Sequence, residues 1–296
     1  MKNKIIKIIF LNIFFMLPFL HVHAENLQIS AKNISLIKDK EVTIFENDVV
    51  IITEDNNTIT SDYAEYNKRL NLINLKNNVV LIDSKKNTLE TNNAQYDEIT
   101  KIFKSIGDTI VTTNDGYKLK GKDITFDNLK KIINSDEKTE IRNKDEYTIY
   151  LDKFNYQIDT SIFKSIGSIK IIDKVNNLYE FSQIYIDTKK EEIIGSDSKI
   201  FINQEDFKVN KKNQPRIFSN TISLKEDIST FGKSIFTLCN YRKNDKCPPW
   251  SIQASKMFHD SKKKTIYYDN AVIKVYDLPI FYFPKFFHPD PSVKRR

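Results

Sequence analysis

A repeat of 30 residues constrains this chain more than any other feature of its sequence. Four positions of the repeat carry an apolar residue almost without exception through six successive copies, with no insertion. A fixed period of this kind indicates that like units stack and bury one continuous core. The four columns, each named after its first member, are Ile34, Ala64, Ala94, Ile124, Phe154 and Ile184; Leu36, Tyr66, Tyr96, Phe126, Tyr156 and Ile186; Thr43, Ile73, Phe103, Ile133, Phe163 and Ile193; and Ile51, Leu81, Val111, Ile141, Ile171 and Phe201.

Two looser copies follow the regular six. One contains Ile222 and Leu224, the other contains Met257 and His259, and the period lengthens there to 38 and then 35 residues. The extra residues form two insertions, one around residues 204–216 and a second that carries both cysteines.

The pattern within one unit predicts strands. Alternating polarity and runs of β-branched residues predict three strands in the second unit, at residues 60–66, 70–75 and 79–82. Polar residues at 67–69 and the asparagine pair at 77–78 predict the turns between them. Each unit is therefore predicted as strand, turn, strand, turn, strand, in an all-β chain.

When such units stack, each column residue packs against residues of the same column on neighbouring strands. At about 4.8 Å between strands, eight units would extend over roughly 40 Å. The predicted architecture is an elongated stack of antiparallel strands, folded over so that two sheets enclose an apolar interior. That interior is either filled like a sandwich core or open along one side as a groove. Small residues in the columns, Ala64 and Ala94, favour the groove.

The first residues indicate export. Lys2, Lys4 and Lys7 accompany an apolar stretch from 5 to 19, and small residues ending at Ala24 suit a signal peptidase. We expect cleavage after Ala24. The alternative is a membrane anchor, for which the apolar core is short against the roughly 20 residues of a span.

Two cysteines, Cys239 and Cys247, both lie in the exported part. In an oxidising compartment a close pair is more often a disulfide than a metal site. A zinc site would also lack partners, since only His259 and His288 follow the signal. Closing so short a loop would stabilise the fold by about 2.5 kcal/mol.

Charge and motifs exclude several classes of function. The formal net charge of +7 includes the signal lysines and shows no basic block, so nucleic-acid binding is not expected. The lysines are either a solvated surface or an attraction for an anionic lipid head group. No nucleophile elbow, phosphate loop or zinc-spaced histidine pair is present, so we predict no catalytic residues, no metal, no cofactor and no enzymatic activity.

A polysaccharide-cleaving solenoid would need acidic residues of successive units on one face. Asp97, Asp127 and Asp187 do recur at one position, but Asn67 and Gln157 occupy it in other copies. We interpret these acidic residues as turn formers.

The C-terminal segment differs in character from the repeats. Residues 247–250 are Cys-Pro-Pro-Trp, residues 278–286 alternate prolines with aromatics, and the chain ends in Lys-Arg-Arg. Together with the repeats, this series resembles the periplasmic N-terminal, OstA-like domain of the lipopolysaccharide-assembly outer-membrane protein family (LptD, or organic solvent tolerance proteins). The resemblance covers essentially the whole mature chain. The resemblance implies a C-terminal β-barrel after residue 296, so we expect this chain to be a fragment, the product of a split gene, or a protein that has lost its pore.

The resemblance implies a β-jellyroll with an open apolar groove, in the periplasm at the inner face of the outer membrane. It implies lipopolysaccharide as ligand, received from a periplasmic bridge protein of similar fold and passed to the outer membrane. The further partners would be an outer-membrane β-barrel and its plug lipoprotein. Two alternatives remain: a soluble periplasmic bridge protein, and a structural β-repeat module with a filled core.

These expectations assign residues 1–24 to the signal peptide, 25–215 to the OstA-like repeats, 216–277 to the last repeats with the cysteine insertion, and 278–296 to the lead-in to a barrel. The expected disulfide joins Cys239 to Cys247. The residues expected to line a lipid groove are Ala64, Tyr66, Ile73, Leu81, Ala94, Tyr96, Phe103, Val111, Ile124, Phe126, Ile133, Phe154, Tyr156 and Phe163.

Overall fold

The computed structural model describes residues 27–143, 147–203, 215–239, 248–290 and 293. This part of the chain is almost entirely β-strand, with one short 3-10 helix at Lys38–Lys40. The strands are β1 Gln28–Ser30, β2 Asn33–Ile37, β3 Val42–Ile52, β4 Thr58–Asn67, β5 Leu72–Ile82, β6 Thr88–Asp97, β7 Ile102–Thr112, β8 Lys118–Lys122, β9 Thr125–Asp127, β10 Ile132–Ser135, β11 Thr139–Arg142, β12 Thr148–Leu151, β13 Phe154–Gln157, β14 Ile162–Ile172, β15 Leu178–Asp187, β16 Glu192–Phe201, β17 Arg216–Lys225, β18 Ile228–Thr237, β19 Trp250–Asp260, β20 Thr265–Val275 and β21 Leu278–Pro289.

The strands form one antiparallel meander, in which each strand pairs with the strand before it and the strand after it. Four times, two short strands lie end to end and share their neighbours: β1 with β2, β8 with β9, β10 with β11, and β12 with β13. The 21 strands therefore act as 17 long ones. The all-β prediction is confirmed.

Each unit contains two long strands, so the prediction of three strands is wrong. β5 runs straight through Asn77 and Asn78, which we expected to form a turn. Both have left-handed backbones, with φ of 62° and 50°. The pairing with β4 skips from Lys76 to Val80. This is a β-bulge, which bends a strand without ending it. Seventeen long strands at about 4.8 Å extend over roughly 75 Å, so the predicted length was also too short.

The bulge recurs in later units and makes a corner in the sheet. Left-handed residues stand at Asn47, Gly107, Gly167 and Asp197, which are 30 or 60 residues apart. Asparagine, aspartate and glycine tolerate this conformation best. Each long strand crosses the corner and contributes one half to each of two facing layers. The predicted folding-over around an apolar interior therefore comes from bent strands, and the buried apolar residues form one core cluster between the layers.

The turns at the strand ends form two rows that face each other across the mouth of the interior, which we call the seam. Row A consists of the turns at 53–57, 83–87, 113–117 and 173–177, with Asn143 and Tyr147 between the last two. Row B consists of the turns at 38–41, 68–71, 98–101, 128–131, 158–161, 188–191, 226–227 and 261–264.

The turns of row B are built as the sequence predicts. Asp97 accepts hydrogen bonds from the backbone N–H groups of Ile99 and Thr100, each at 2.9 Å. Asp127 and Asp187 accept equivalent bonds from the residues that follow them. A carboxylate that accepts local N–H groups holds the turn without help from a neighbouring strand. The interpretation of these acidic residues as turn formers agrees with these contacts.

Three columns each contain one residue that does not face the core, because the strand geometry changes there. β16 bulges at Asp197 alone, so Ile200 takes the inner position and is 3% exposed. Phe201, assigned to the Ile51 column, faces the other way, and its ring packs edge-on against Phe218 at 6.4 Å. That assignment is therefore wrong by one residue. At the other end of the sheet, Ile34 and Leu36 are each 60% exposed, because β2 is an edge strand paired only with β3.

Within the described residues, no helix is long and apolar enough to cross a membrane.

Candidate functional site

The interior of the first half of the sheet is filled. All fourteen predicted groove residues belong to the core or pack against it, and all except Tyr66 are buried. The small column residues Ala64 and Ala94 are themselves fully buried in the core cluster. Val111, Ile133 and Phe163 border a space of about 20 Å³, enough for roughly one water molecule. The predicted lipid contacts here stay a prediction.

Polar contacts between row A and row B cross the seam over this half, and we call each of these contacts a tie. The Lys101 ammonium lies 2.8 Å from the Glu54 carboxylate, and the two side chains are only 15% and 26% exposed. Asn128 donates a hydrogen bond from its amide to the Asp55 carboxylate. Each contact joins turns of opposite rows, so it holds the two layers together at their open edge.

A third tie lies two strands further along. The Lys85 ammonium is 2.9 Å from the Asp159 carboxylate, again between row A and row B. The same ammonium approaches the backbone carbonyl of Ile158 at 3.5 Å. Together the three ties close the seam from the third turn of row B, at 98–101, to the fifth, at 158–161.

Two tyrosines of the Leu36 column lie directly beneath these ties. The Tyr66 hydroxyl donates a 2.8 Å hydrogen bond to Glu98. Burial, together with that carboxylate, raises the pKa of Tyr66 to about 12. Burial and the nearby Asp55 raise the pKa of Tyr96 well above its ordinary value. The Tyr96 hydroxyl is buried without a hydrogen-bond partner. Both phenols thus stay neutral under the closed seam.

Beyond the third tie the seam is open. A cleft of about 510 Å³ lies between the row A turns at Asp115 and Lys174 and the row B turns at Lys189 and Glu191. Its walls are apolar below this charged rim. The apolar residues of the cleft are Ile149, Ile171, Ile186, Ile193 and Leu224. A second cleft of about 200 Å³ continues along the seam, where Tyr179, Ile200, Ile217 and Phe231 form its apolar part.

The change from closed to open follows from the residues that meet across the seam. One repeat after Lys85 and Asp159 come Asp115 and Lys189, with the charges exchanged. No ion pair joins these two described residues, and Asp115 instead accepts a hydrogen bond from Thr113 in its own turn. The tie is therefore lost although both charges are still present.

An apolar interior beneath a charged rim is suited to an amphiphile. The rim of the larger cleft carries Lys174, Lys189 and Lys225 as well as Asp115, Glu191 and Glu226, so it offers both signs of charge. In the part of the chain that the structure describes, no group of three histidine, cysteine, aspartate or glutamate residues could hold a metal ion.

The residues that line the open clefts were not among the fourteen predicted. Ile171, Ile186 and Ile193 belong to the columns, and Leu224 belongs to a looser copy, but the prediction stopped at Phe163. The columns alone cannot separate a filled from an open stretch, because they are apolar in both. Opposite charges 74 residues apart do not separate them either, since Lys85 and Asp159 form an ion pair whereas Asp115 and Lys189 do not.

Two predictions fall on residues outside the described part. The signal peptide, 1–24, is one. The disulfide is the other, because Cys247 is not described. Cys239 follows β18, and its backbone N–H donates to the Thr237 hydroxyl at 3.0 Å. Both predictions remain untested.

Comparison with known families gives one match. Residues 19–142 match the model of a family described as lipopolysaccharide-assembly, LptC-related. The matched stretch is less than half of the chain and ends with β11. It does not distinguish the OstA-like domain of LptD from other members of the same system, and that narrower resemblance stays a prediction.

Comparison with solved structures gives LptH of Pseudomonas aeruginosa, described as the LptA homologous periplasmic component of the conserved lipopolysaccharide transport device. The identity is 11%, the alignment covers 65% of this chain and 94% of that chain, and the TM-score is 0.17. Comparison with curated proteins gave no match.

Proposed function

We propose that this protein binds lipopolysaccharide in the periplasm and passes it along a chain of proteins toward the outer membrane. The acyl chains enter the open seam between β11 and β18, and the phosphorylated sugar stays at the charged rim. The observation that carries the proposal is the cleft of about 510 Å³ with an apolar floor, in a chain whose first part matches a lipopolysaccharide-assembly family.

The free energy of burying an acyl chain favours its direct transfer between proteins over its release into the periplasm. An acyl chain of about a dozen carbons gains up to roughly 9 kcal/mol on leaving water, at about 0.8 kcal/mol per methylene. Release into the periplasm would be correspondingly slow. Handing the chain from one apolar interior to another avoids that exposure, and no bond is made or broken.

A bridge-type role fits the chain better than the outer-membrane role that the proline and aromatic residues near the C terminus first favoured. Leu278–Pro289 pairs with β20 along almost its whole length and so belongs to the same sheet. The matched family description also names LptC and not the outer-membrane member. We propose neighbouring proteins of similar fold as the partners, with the outer-membrane barrel as a more distant one.

The test is the affinity of the purified chain for fluorescently labelled lipopolysaccharide. Ile193 lines the cleft, whereas the next residue, Ile194, is half-exposed on the outer face. Ile193→Asp places a charge in the apolar floor and should weaken binding by about tenfold, a loss of about 1.4 kcal/mol. Ile194→Asp is the matched control and should leave the affinity unchanged.

Equal affinities for the two variants and the unmodified chain would contradict the proposal. A fold check is needed for Ile193→Asp, because a buried carboxylate can unfold a strand. The unfolding midpoint in urea supplies it, and Ile193→Ser is the milder substitution if the aspartate variant does not fold.

A further inference from the structure

An aromatic strip crosses the outer face of the last three strands. The rings of Phe258 and Tyr267 stack with centroids 4.7 Å apart, and Phe287 continues the row at 6.0 Å. These residues face away from the interior, since the adjacent Met257 and Tyr268 are buried in the core. Phe287 is 66% exposed. The strip is thus a flat apolar surface open to solvent.

The same face continues along β21. Ile280 and Tyr282 are exposed, and they alternate with Phe281 and Phe283 on the opposite face of the strand. Tyr282 donates a hydrogen bond from its hydroxyl to Asn270 at 2.9 Å, which fixes the ring flat over the strand. The exposed apolar surface therefore extends over most of the edge strand, and a patch of this kind marks an interaction site.

Lysines flank the aromatic strip at both ends. Lys256 and Lys285 lie two residues from it on one side, about 7 Å along the strand. On the other side the β19–β20 turn carries Lys262, Lys263 and Lys264. Asp269, Asp227 and Asp260 pair with three of these five lysines. Lys256 and Lys264 have no ion-pair partner among the described residues, so the surface keeps a positive excess.

Three prolines make this edge a poor template for an added strand. Pro279, Pro284 and Pro289 all lie in β21, which pairs with β20 on one side. Proline has no backbone N–H, and prolines on an edge strand are a common protection against pairing with another chain. A partner that binds through side-chain contacts alone fits this surface better.

We propose that the outer face of β19–β21 rests on the head-group layer of a bilayer containing anionic phospholipids. Tyrosine rings such as those of Tyr267 and Tyr282, together with phenylalanines and lysines, are typical of side chains that lie at a membrane interface. The lysines attract anionic head groups, and the rings insert between them. This contact does not depend on the proposed cargo, because its residues lie on the opposite side of the sheet from the clefts.

The test is flotation of the full mature chain with vesicles of phosphatidylethanolamine and phosphatidylglycerol, with phosphatidylcholine vesicles for comparison. The unmodified protein should float with the anionic vesicles. Tyr282→Ser with Phe287→Ser should reduce the bound fraction by about tenfold, since two exposed rings no longer leave water. The matched control is Ile106→Ser with Ile166→Ser, two exposed apolar residues on the outer face of other strands.

A second pair of variants tests the charge. Lys256→Glu with Lys264→Glu should abolish the preference for anionic over neutral vesicles and leave the residual binding intact. Failure of the unmodified chain to float, or an equal loss in the isoleucine control, would overturn the proposal. The proposal would also be overturned if the chain captured another protein through Tyr282 and Phe287 while its binding to vesicles did not depend on these two residues. Lipopolysaccharide affinity, measured on the same variants, should not change, which separates this proposal from the proposed function.

Discussion

The two halves of the seam share one sheet, one repeat and the same apolar columns, yet one half is closed and the other is open. The ties of Lys101, Asn128 and Lys85 hold the row A turns at 53–57 and 83–87 against the row B turns from 98–101 to 158–161. From the row A turn at 113–117 and the row B turn at 188–191 onward, the interior forms clefts. The columns of the two halves do not differ in polarity. The residues at the rim therefore decide whether an apolar interior is a filled core or an open cleft.

The largest difference between the halves should appear in the cost of truncating one column. Ile73 and Ile193 belong to the Thr43 column, but Ile73 is fully buried and Ile193 borders the open cleft. Ile73→Ala should lower the free energy of unfolding by about 3 kcal/mol, because it leaves a cavity. Ile193→Ala should cost about 1 kcal/mol, because its neighbourhood is already open. Urea unfolding measures both, and equal costs would remove the distinction between the halves.

The second prediction concerns the stability that the Lys101 and Lys85 ion pairs contribute across the seam. Lys101→Ala removes the partner of a mostly buried carboxylate and should cost about 1–2 kcal/mol. Lys85→Ala removes a more exposed tie and should cost less than about 0.5 kcal/mol. Thermal or urea unfolding compares the two variants. A cost for Lys101→Ala no greater than that for Lys85→Ala would mean that the tie does not hold the seam.

An equivalent ion pair can be introduced into the open half, to test whether a tie there closes the seam. Asp115→Lys with Lys189→Asp copies the Lys85–Asp159 pair one repeat later. The added pair should stabilise the fold by at most about 0.5 kcal/mol. It should also narrow the mouth of the cleft and so weaken lipopolysaccharide binding, which the labelled-lipid assay reports. If the variant forms the ion pair but its affinity for lipopolysaccharide is unchanged, the width of the seam does not control the access of lipid to the cleft.

The smallest effect is one of pH. Burial alone would raise the pKa of Asp127, but the backbone N–H and the ammonium of Lys130 lower it below its usual value. A carboxylate with a lowered pKa in the fold stabilises it above the ordinary value of about 3.9. This stability is lost as the pH falls through the folded value. Asp127→Asn should therefore reduce the loss of stability below pH ~4, and Asn67→Asp should increase it.

Urea unfolding at several pH values checks both substitutions. The pair is informative because Asn67 occupies in an earlier turn the place that Asp127 holds later. Identical pH profiles for all variants would mean that the turn carboxylates do not contribute to stability.

Much of the fold could be predicted from the repeat. The columns predict which residues face the interior, because alternation along a strand maps directly onto the two faces of a sheet. The asparagine pair at 77–78 misled the prediction, since the same left-handed residues suit both a turn and a bulge. Only the pairing of β4 with β5 on both sides of the pair decides between them.

The candidate site was harder to predict. Opening of the seam depends on whether side chains 74 residues apart, such as Lys85 and Asp159, come within reach of each other. Asp115 and Lys189 have the same spacing and complementary charges but do not meet. The local turn geometry at Thr113 and Asp115 makes the difference, and a column pattern carries no information about it.

The most direct test of the account is photocrosslinking to lipopolysaccharide in cells. A photoreactive residue would replace Ile73 or Phe103 in the closed half, Ile193 or Leu224 in the open half, and Ile194 as the outer-face control. The account predicts crosslinks from the two open-half positions and none from the other three. Crosslinks of equal yield from Ile73 and Ile193 would mean that lipid passes under the closed seam. No crosslink from any interior position, in a folded protein, would contradict lipid binding in this interior altogether.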